Sequence, residues 1–164
     1  MSQPLTPFLG VRAVARRLVG SAADYEPLLE MARGKRYVLL GEATHGTREF
    51  YQTRADITRQ LIGQGGFDAV AIEGDWPDVW RINRYVQAES ADTVAEALSD
   101  FQRFPEWMWR NREVLEFIAW LRDHNAPLPA AERVGVYGLD LYSLYRSAEA
   151  VIEYLEKTDP DQAA

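Results

Sequence analysis

Glu42 and His45 stand three residues apart in the stretch LLGEATHG, residues 39–46, with Gly41 and Gly46 beside them. His45 is one of two histidines in the chain, and there is no cysteine. An imidazole oriented by a carboxylate can take a proton from water, because its ordinary pKa lies near neutrality. Two further apolar runs also end in acids. AIEGD ends at Glu73 and Asp75, and VYGLD ends at Asp140. Acids at strand ends also cap the helices that follow. For Asp75 and Asp140 that structural role weighs as much as a chemical one. For Glu42 it weighs less, since glutamate is a poor N-cap.

A cation belongs to the same group. At 100° per residue, the helix expected over 48–62 places Phe50, Ile57 and Leu61 in one row, with Tyr51, Thr58 and Ile62 beside it. Arg54 falls inside that stripe and needs an acid as partner if it is buried. Glu42 and Glu73 are the candidates. Two chemistries stay open at this point. In one, His45 is a general base on water, Glu42 and Glu73 orient it, and Arg54 balances the charge or stabilises an oxyanion. In the other, His45, Glu42, Glu73 and Asp140 bind a divalent metal such as Mn, Fe or Zn. Arg54 counts against the metal, because it competes for the same carboxylates. A thiol mechanism has no residue to use, and no G-x-S-x-G turn offers a serine. GQGGF precedes a strand instead of following one, so it is no phosphate loop. Trp76 and Trp80, close to Glu73, would wall a substrate pocket together with Asp140, or else enter the core. His124, in the last turn of its helix, reads as a surface residue.

These residues need a scaffold, and the pattern supplies one. Helices are expected at 10–19, 24–33, 48–62, 77–87, 91–100, 107–124 and 144–156. Buried strands are expected at 36–42, 67–75 and 133–140. Apolar strands alternating with helices predict an α/β fold: a mostly parallel sheet of about three strands covered by helices. The ligand side of such a sheet is the carboxyl end of its strands. Three strands are few, so the sheet reads as incomplete, and an open edge offers a route to self-association. The chain reads as a single domain over 1–164, with a helical segment over 1–34 and a frayed tail over 158–164.

Composition narrows the functional classes. The chain has 164 residues, 47% hydrophobic and 26% charged, which is enough for one core. Its net charge of −7 is a poor match for nucleic acid or an anionic membrane. No apolar run reaches membrane-spanning length, and the start, MSQPLTPFLG, lacks signal-peptide features. The expectation is a cytoplasmic protein acting on a small molecule, with neither nucleic acid nor membrane as partner.

Four segments together carry a family resemblance: LLGEATHGTREFYQTRADI, AIEGDWPD, FPEWMWRN and VYGLDLYS. In that order and spacing they resemble the erythromycin esterase family over roughly residues 35–145. The resemblance implies an esterase that opens a macrolide lactone, an antibiotic-resistance activity, without an obligatory cofactor. It implies that His45 is the general base, with Glu42, Arg54 and Glu73 at the matching acid and arginine positions. Other esters and lactones are equally compatible substrates. Family members are much longer and carry further active-site histidines in a C-terminal half, for which this chain has no counterpart. It therefore reads as an N-terminal portion with a partial site, partly active or inactive alone. A non-catalytic piece that associates with a partner chain is the alternative from outside enzymology.

Overall fold

The computed structural model describes residues 10, 13–102, 106–140, 142 and 144–163. Residues 11 and 12 of the expected first helix, and positions 104, 105, 141 and 143 of the motifs, lie outside the described residues. The chain divides into two compact units, Met1–Val38 and Leu39–Ala164. In the first, residues 15–19 are not helical. Asp24 gathers the turn that follows by accepting the Val19, Gly20 and Ser21 N–H groups. A 3-10 turn at Ala22–Tyr25 then leads into α1, Glu26–Ala32.

The second unit is the α/β body. Its elements are α2 (Arg48–Gly65), β1 (Ala69–Asp75), α3 (Trp76–Val86), α4 (Val94–Ala97), α5 (Arg112–Asn125), β2 (Gly135–Asp140), α6 (Leu144–Thr158) and α7 (Pro160–Ala163). Each has a local cause. α2 stops at Gly66, whose φ of 69° is the left-handed cap that glycine adopts without strain. α3 opens with Pro77 in its first turn. α4 starts on a capping box between Thr93 and Glu96. α5 starts on Asn111, whose Oδ1 accepts the Val114 N–H at 2.9 Å. Within the tail, Pro160–Ala163 form α7.

β1 and β2 pair in parallel, Ala69 opposite Gly135 through Ile72 opposite Gly138. The sheet has two described strands where the sequence predicts about three. Residues 36–42 form no strand, and Leu39 within them is 93% exposed. Apolar, β-branched composition suits a pleated surface, but a strand also needs a neighbour in register. This run has no such ladder among the described residues. Near the carboxyl ends the two strands approach closely. A Cβ on Gly138 would lie 2.5 Å from the Gly74 carbonyl oxygen, so only glycine fits.

One face of the sheet enters the core with Val70, Ile72, Val134 and Val136, beneath Val79, Ile82 and Val86 of α3 and Val114, Ile118 and Leu121 of α5. The opposite face carries Ala69, Ala71, Glu73, Tyr137 and Leu139, all exposed. Two buried asparagines occupy the backbone of β2 that does not face β1. Asn83 Oδ1 accepts the Val136 N–H at 2.9 Å. Asn125 Oδ1 accepts the Val134 N–H at 2.9 Å, and its Nδ2 donates to the carbonyls of Val134 and Val86. Side-chain amides thus replace a third strand along this edge. Asn125→Leu keeps the volume but orphans these buried groups. It is expected to cost about 3 kcal/mol of stability, read as a lower urea midpoint at unchanged slope. A loss under about 0.5 kcal/mol would show that the amide is dispensable.

Candidate active site

α2 is the element that builds the site. Ile57, Leu61 and Ile62 bury one side of it. Arg48 Nε meets Glu113 Oε1 at 2.5 Å, and Arg59 lies over the rings of Phe117 and Trp120, so α5 fixes its position. The loop before α2 turns at Thr44, whose Oγ1 accepts the Gly46 N–H at 3.2 Å. That turn brings Glu42 and His45 to the first half of α2.

Here three side chains meet. His45 Nδ1 lies 2.5 Å from Glu42 Oε1, and Arg54 Nη2 lies 2.8 Å from Glu42 Oε2. Glu42 is the buried member, at 9% side-chain exposure, while His45 keeps 40%. An ionised carboxylate only accepts, so Nδ1 carries the proton and Nε2 of a neutral ring keeps its lone pair. Arg54 is off the line of an aligned hydrogen bond, so its hold on Oε2 is that of an ion pair. Its guanidinium also packs on the Tyr51 ring, 4.9 Å from the centroid.

Glu73 is placed differently from the sequence expectation. It stands on the uncovered face of β1, exposed, and makes no ion pair with a described residue. Strand alternation is the reason: Ala69, Ala71 and Glu73 share the face that is exposed among the described residues. Its charge still reaches the site, since it acts on both Tyr51 and Asp140. Its backbone carbonyl accepts the Trp109 indole N–H at 2.8 Å. Trp109 in turn meets Tyr51 edge to face and Phe101 at a tilt. Asn111 stabilises this turn by donating to the carbonyls of Trp107 and Met108. The WRN triplet therefore ties the end of β1 to α2 and α5.

Trp76 and Trp80 do not enter the core. They stack on each other at 5.8 Å, Trp76 also stacks on Tyr137 at 6.2 Å, and all three rings are exposed. Tyr137 was not legible as a member of this stack, because strand position alone does not tell which face a helix will cover. Tyr51 was legible only as part of an apolar stripe. The polar groove beside Trp80 has Arg81 at its centre, already held by Asp92 and Asp100, which makes it a structural clasp for residues 92–100. His124 stacks on Trp120, away from Glu42.

Asp140, at the end of β2, has its carboxyl pushed above the ordinary range by burial, then by the charges of Glu73 and Asp75. Three acids thus crowd the carboxyl end of the sheet. Among the described residues, no three His, Asp or Glu side chains are gathered as ligands of one metal ion, and no helix is long and apolar enough to cross a membrane.

The model of the erythromycin esterase family matches residues 62–164, a span that includes Glu73, Trp76, Trp80 and Asp140 and begins after Glu42, His45 and Arg54. The Escherichia coli protein named erythromycin esterase type II is 27% identical over 118 residues, covering 72% of this chain and 26% of that protein. YbfO of Bacillus subtilis (strain 168) is 24% identical over 144 residues, covering 87% of this chain and 30% of that one. Two solved structures superpose with TM-scores of 0.67. One is a Bacillus cereus protein, 25% identical, matched over 93% of this chain and 37% of its own. The other is titled as a succinoglycan biosynthesis protein, 26% identical, matched over 88% and 35%. The chain thus spans under a third of the length of these two curated relatives.

The crowding at Asp140 has a measurable consequence. A carboxyl whose folded pKa is raised holds its proton more tightly when folded, so its contribution to stability falls as pH climbs past the ordinary 3.8. Asp140→Asn is expected to raise the melting temperature at pH 7 by ~2 °C, with the gain vanishing as pH falls below that value. A lower melting temperature at pH 7 would mean that the carboxylate is held by an attraction that outweighs Glu73 and Asp75.

Proposed function

The chain belongs to the erythromycin esterase family, and on that premise we propose that it carries the water-activating part of a hydrolase of esters or lactones. The observation behind this reading is the contact of His45 Nδ1 with the buried Glu42 carboxylate. A buried acid behind a half-exposed imidazole fixes one ring nitrogen and leaves the other for solvent and substrate. In the proposed reaction, Nε2 of His45 accepts a proton from water as the water oxygen bonds to the carbonyl carbon. The tetrahedral intermediate then expels the alcohol oxygen, which takes the same proton back from Nε2. Glu42 stabilises the imidazolium between these steps. Arg54 pairs with Glu42 and holds it in place. The other two acids, Glu73 and Asp140, stand with Trp76 and Trp80 as the substrate side of the proposal. The name of the Escherichia coli relative makes a macrolide lactone such as erythromycin the first substrate to try.

Arg54 already occupies the second oxygen of Glu42, which supports a water-activating base over metal ligation. With erythromycin and simple aryl esters as probes, His45→Ala is expected to lower turnover by at least ~100-fold while the far-ultraviolet circular dichroism stays unchanged. Retained turnover would remove His45 as the base. Chelation is expected to leave turnover intact, and loss that a divalent ion restores would move the reading to a metallohydrolase.

A second reading has its own observation. The uncovered sheet face presents Tyr137 and Leu139, and α6 exposes Val151, Ile152 and Tyr154. Such a surface suits association with a second copy of the chain. Light scattering separates the two cases: a dimer supports association, and a monomer at tens of micromolar counts against it.

A further inference from the structure

Tyr51 carries a buried polar group that the reaction above does not use. It is 7% exposed, and its hydroxyl oxygen has no aligned hydrogen-bond partner among the described residues, although Arg54 lies close enough to act on it. A second buried oxygen, Oε2 of Glu42, whose charge acts on Tyr51, also lacks an aligned hydrogen bond among the described residues. Arg54 touches both residues, with its guanidinium over the Tyr51 ring and Nη2 beside Oε2. Tyr51 and Arg54 are three positions apart on α2, so they share a face of the helix. A core position that needed only an aromatic ring would be served by phenylalanine, without the cost of desolvating a hydroxyl. One bond between the tyrosine donor and the carboxylate acceptor satisfies both atoms.

We propose that Tyr51 is a positioning residue for the Glu42–His45 pair, its hydroxyl donating to Glu42 Oε2 when the site is at work. This deepens the hydrolase reading and rests on it for its catalytic consequence. The carboxylate is then held from three directions: His45 on Oε1, and Arg54 and Tyr51 on Oε2. Rotation of the carboxylate, which would swing His45 with it, is blocked. The ring itself is held by Trp109 edge-on and by Arg54 on its face, so the hydroxyl is aimed by packing on both sides. Burial pushes the Tyr51 hydroxyl above the ordinary 10.0, Glu42 and Glu73 push it further, and Arg54 pulls it back.

The test has two arms. In the first, the eight tyrosines are titrated at alkaline pH by the absorbance of tyrosinate near ~295 nm, with arginines still charged. Tyr51→Phe is expected to remove one late-titrating tyrosine. Glu42→Gln should bring that tyrosine down, and Arg54→Gln should move it further up. Opposite movements report charge coupling, whereas loosening of the fold would carry both variants toward the ordinary value. Movement in the same direction, or none, overturns the proposal. In the second arm, Tyr51→Phe keeps the ring and is expected to lower kcat by ~10-fold with KM within about twofold. Unchanged kcat, in a protein that His45→Ala inactivates, overturns the positioning role. If the unsubstituted protein hydrolyses none of the probes, the hydrolase reading fails, and the titration arm alone decides whether Tyr51 is coupled to Glu42.

Discussion

A carboxylate taken out of water and held by a guanidinium is the constraint on which this site rests. Glu42 is nearly covered, and an unpaired charge there would cost several kcal/mol. Arg54 removes that penalty, but only if α2 lies where it does. α2 keeps its position through Ile57, Leu61 and Ile62 underneath and through the Arg48–Glu113 and Arg59–Phe117 contacts to α5. The loop at 41–47 is then obliged to bring Glu42 to Arg54, and His45 comes with it. A buried pair of this kind is weak evidence for stability and better evidence for a fixed geometry. The residue that gains from the fixed geometry is the imidazole, which keeps one nitrogen free.

The carboxyl end of the sheet shows the opposite electrostatics. Glu73, Asp75 and Asp140 collect at adjacent strand ends, and burial, then the charges of the other two, push the Asp140 carboxyl above its ordinary range. The close approach of Gly138 to Gly74 brings the strand ends together and intensifies the crowding. Beside it stands the Trp76–Trp80–Tyr137 stack, an apolar surface bordering an acidic one. The two features face the same region of the body because β1 and β2 run parallel.

The rest of the body holds these ends in place. Asn83 and Asn125 take over backbone groups of β2 that a further strand would otherwise satisfy. Trp109 spans from the Glu73 carbonyl to Tyr51, so the acid end of β1 and the inner face of α2 are linked through one indole. Asn111 sets that indole by capping α5 and bracing the turn before it. Side-chain amides and a tryptophan thus perform connections that a larger sheet would make with backbone alone.

Sequence by itself determined what depends on local spacing. Periodicity marked α2, α3, α5 and α6 to within a few residues at most ends, and apolar β-rich runs marked β1 and β2, because helical and extended backbones repeat their side chains at different intervals. The placement of Arg54 in an apolar stripe pointed to an acid partner, because a guanidinium cannot be buried alone. Tertiary structure decided whatever depends on a neighbour. Residues 36–42 have the composition of a strand and no ladder. Glu73 was expected to share Arg54 and instead lies on the bare face, because which side of a pleat is covered is settled by where helices pack. Tyr51 read as core, and only the burial of its hydroxyl, with the Glu42 charge acting on it, marked it as something more. Spacing along the chain fixes each side chain's direction relative to its own element, while its partner is fixed only when the elements meet.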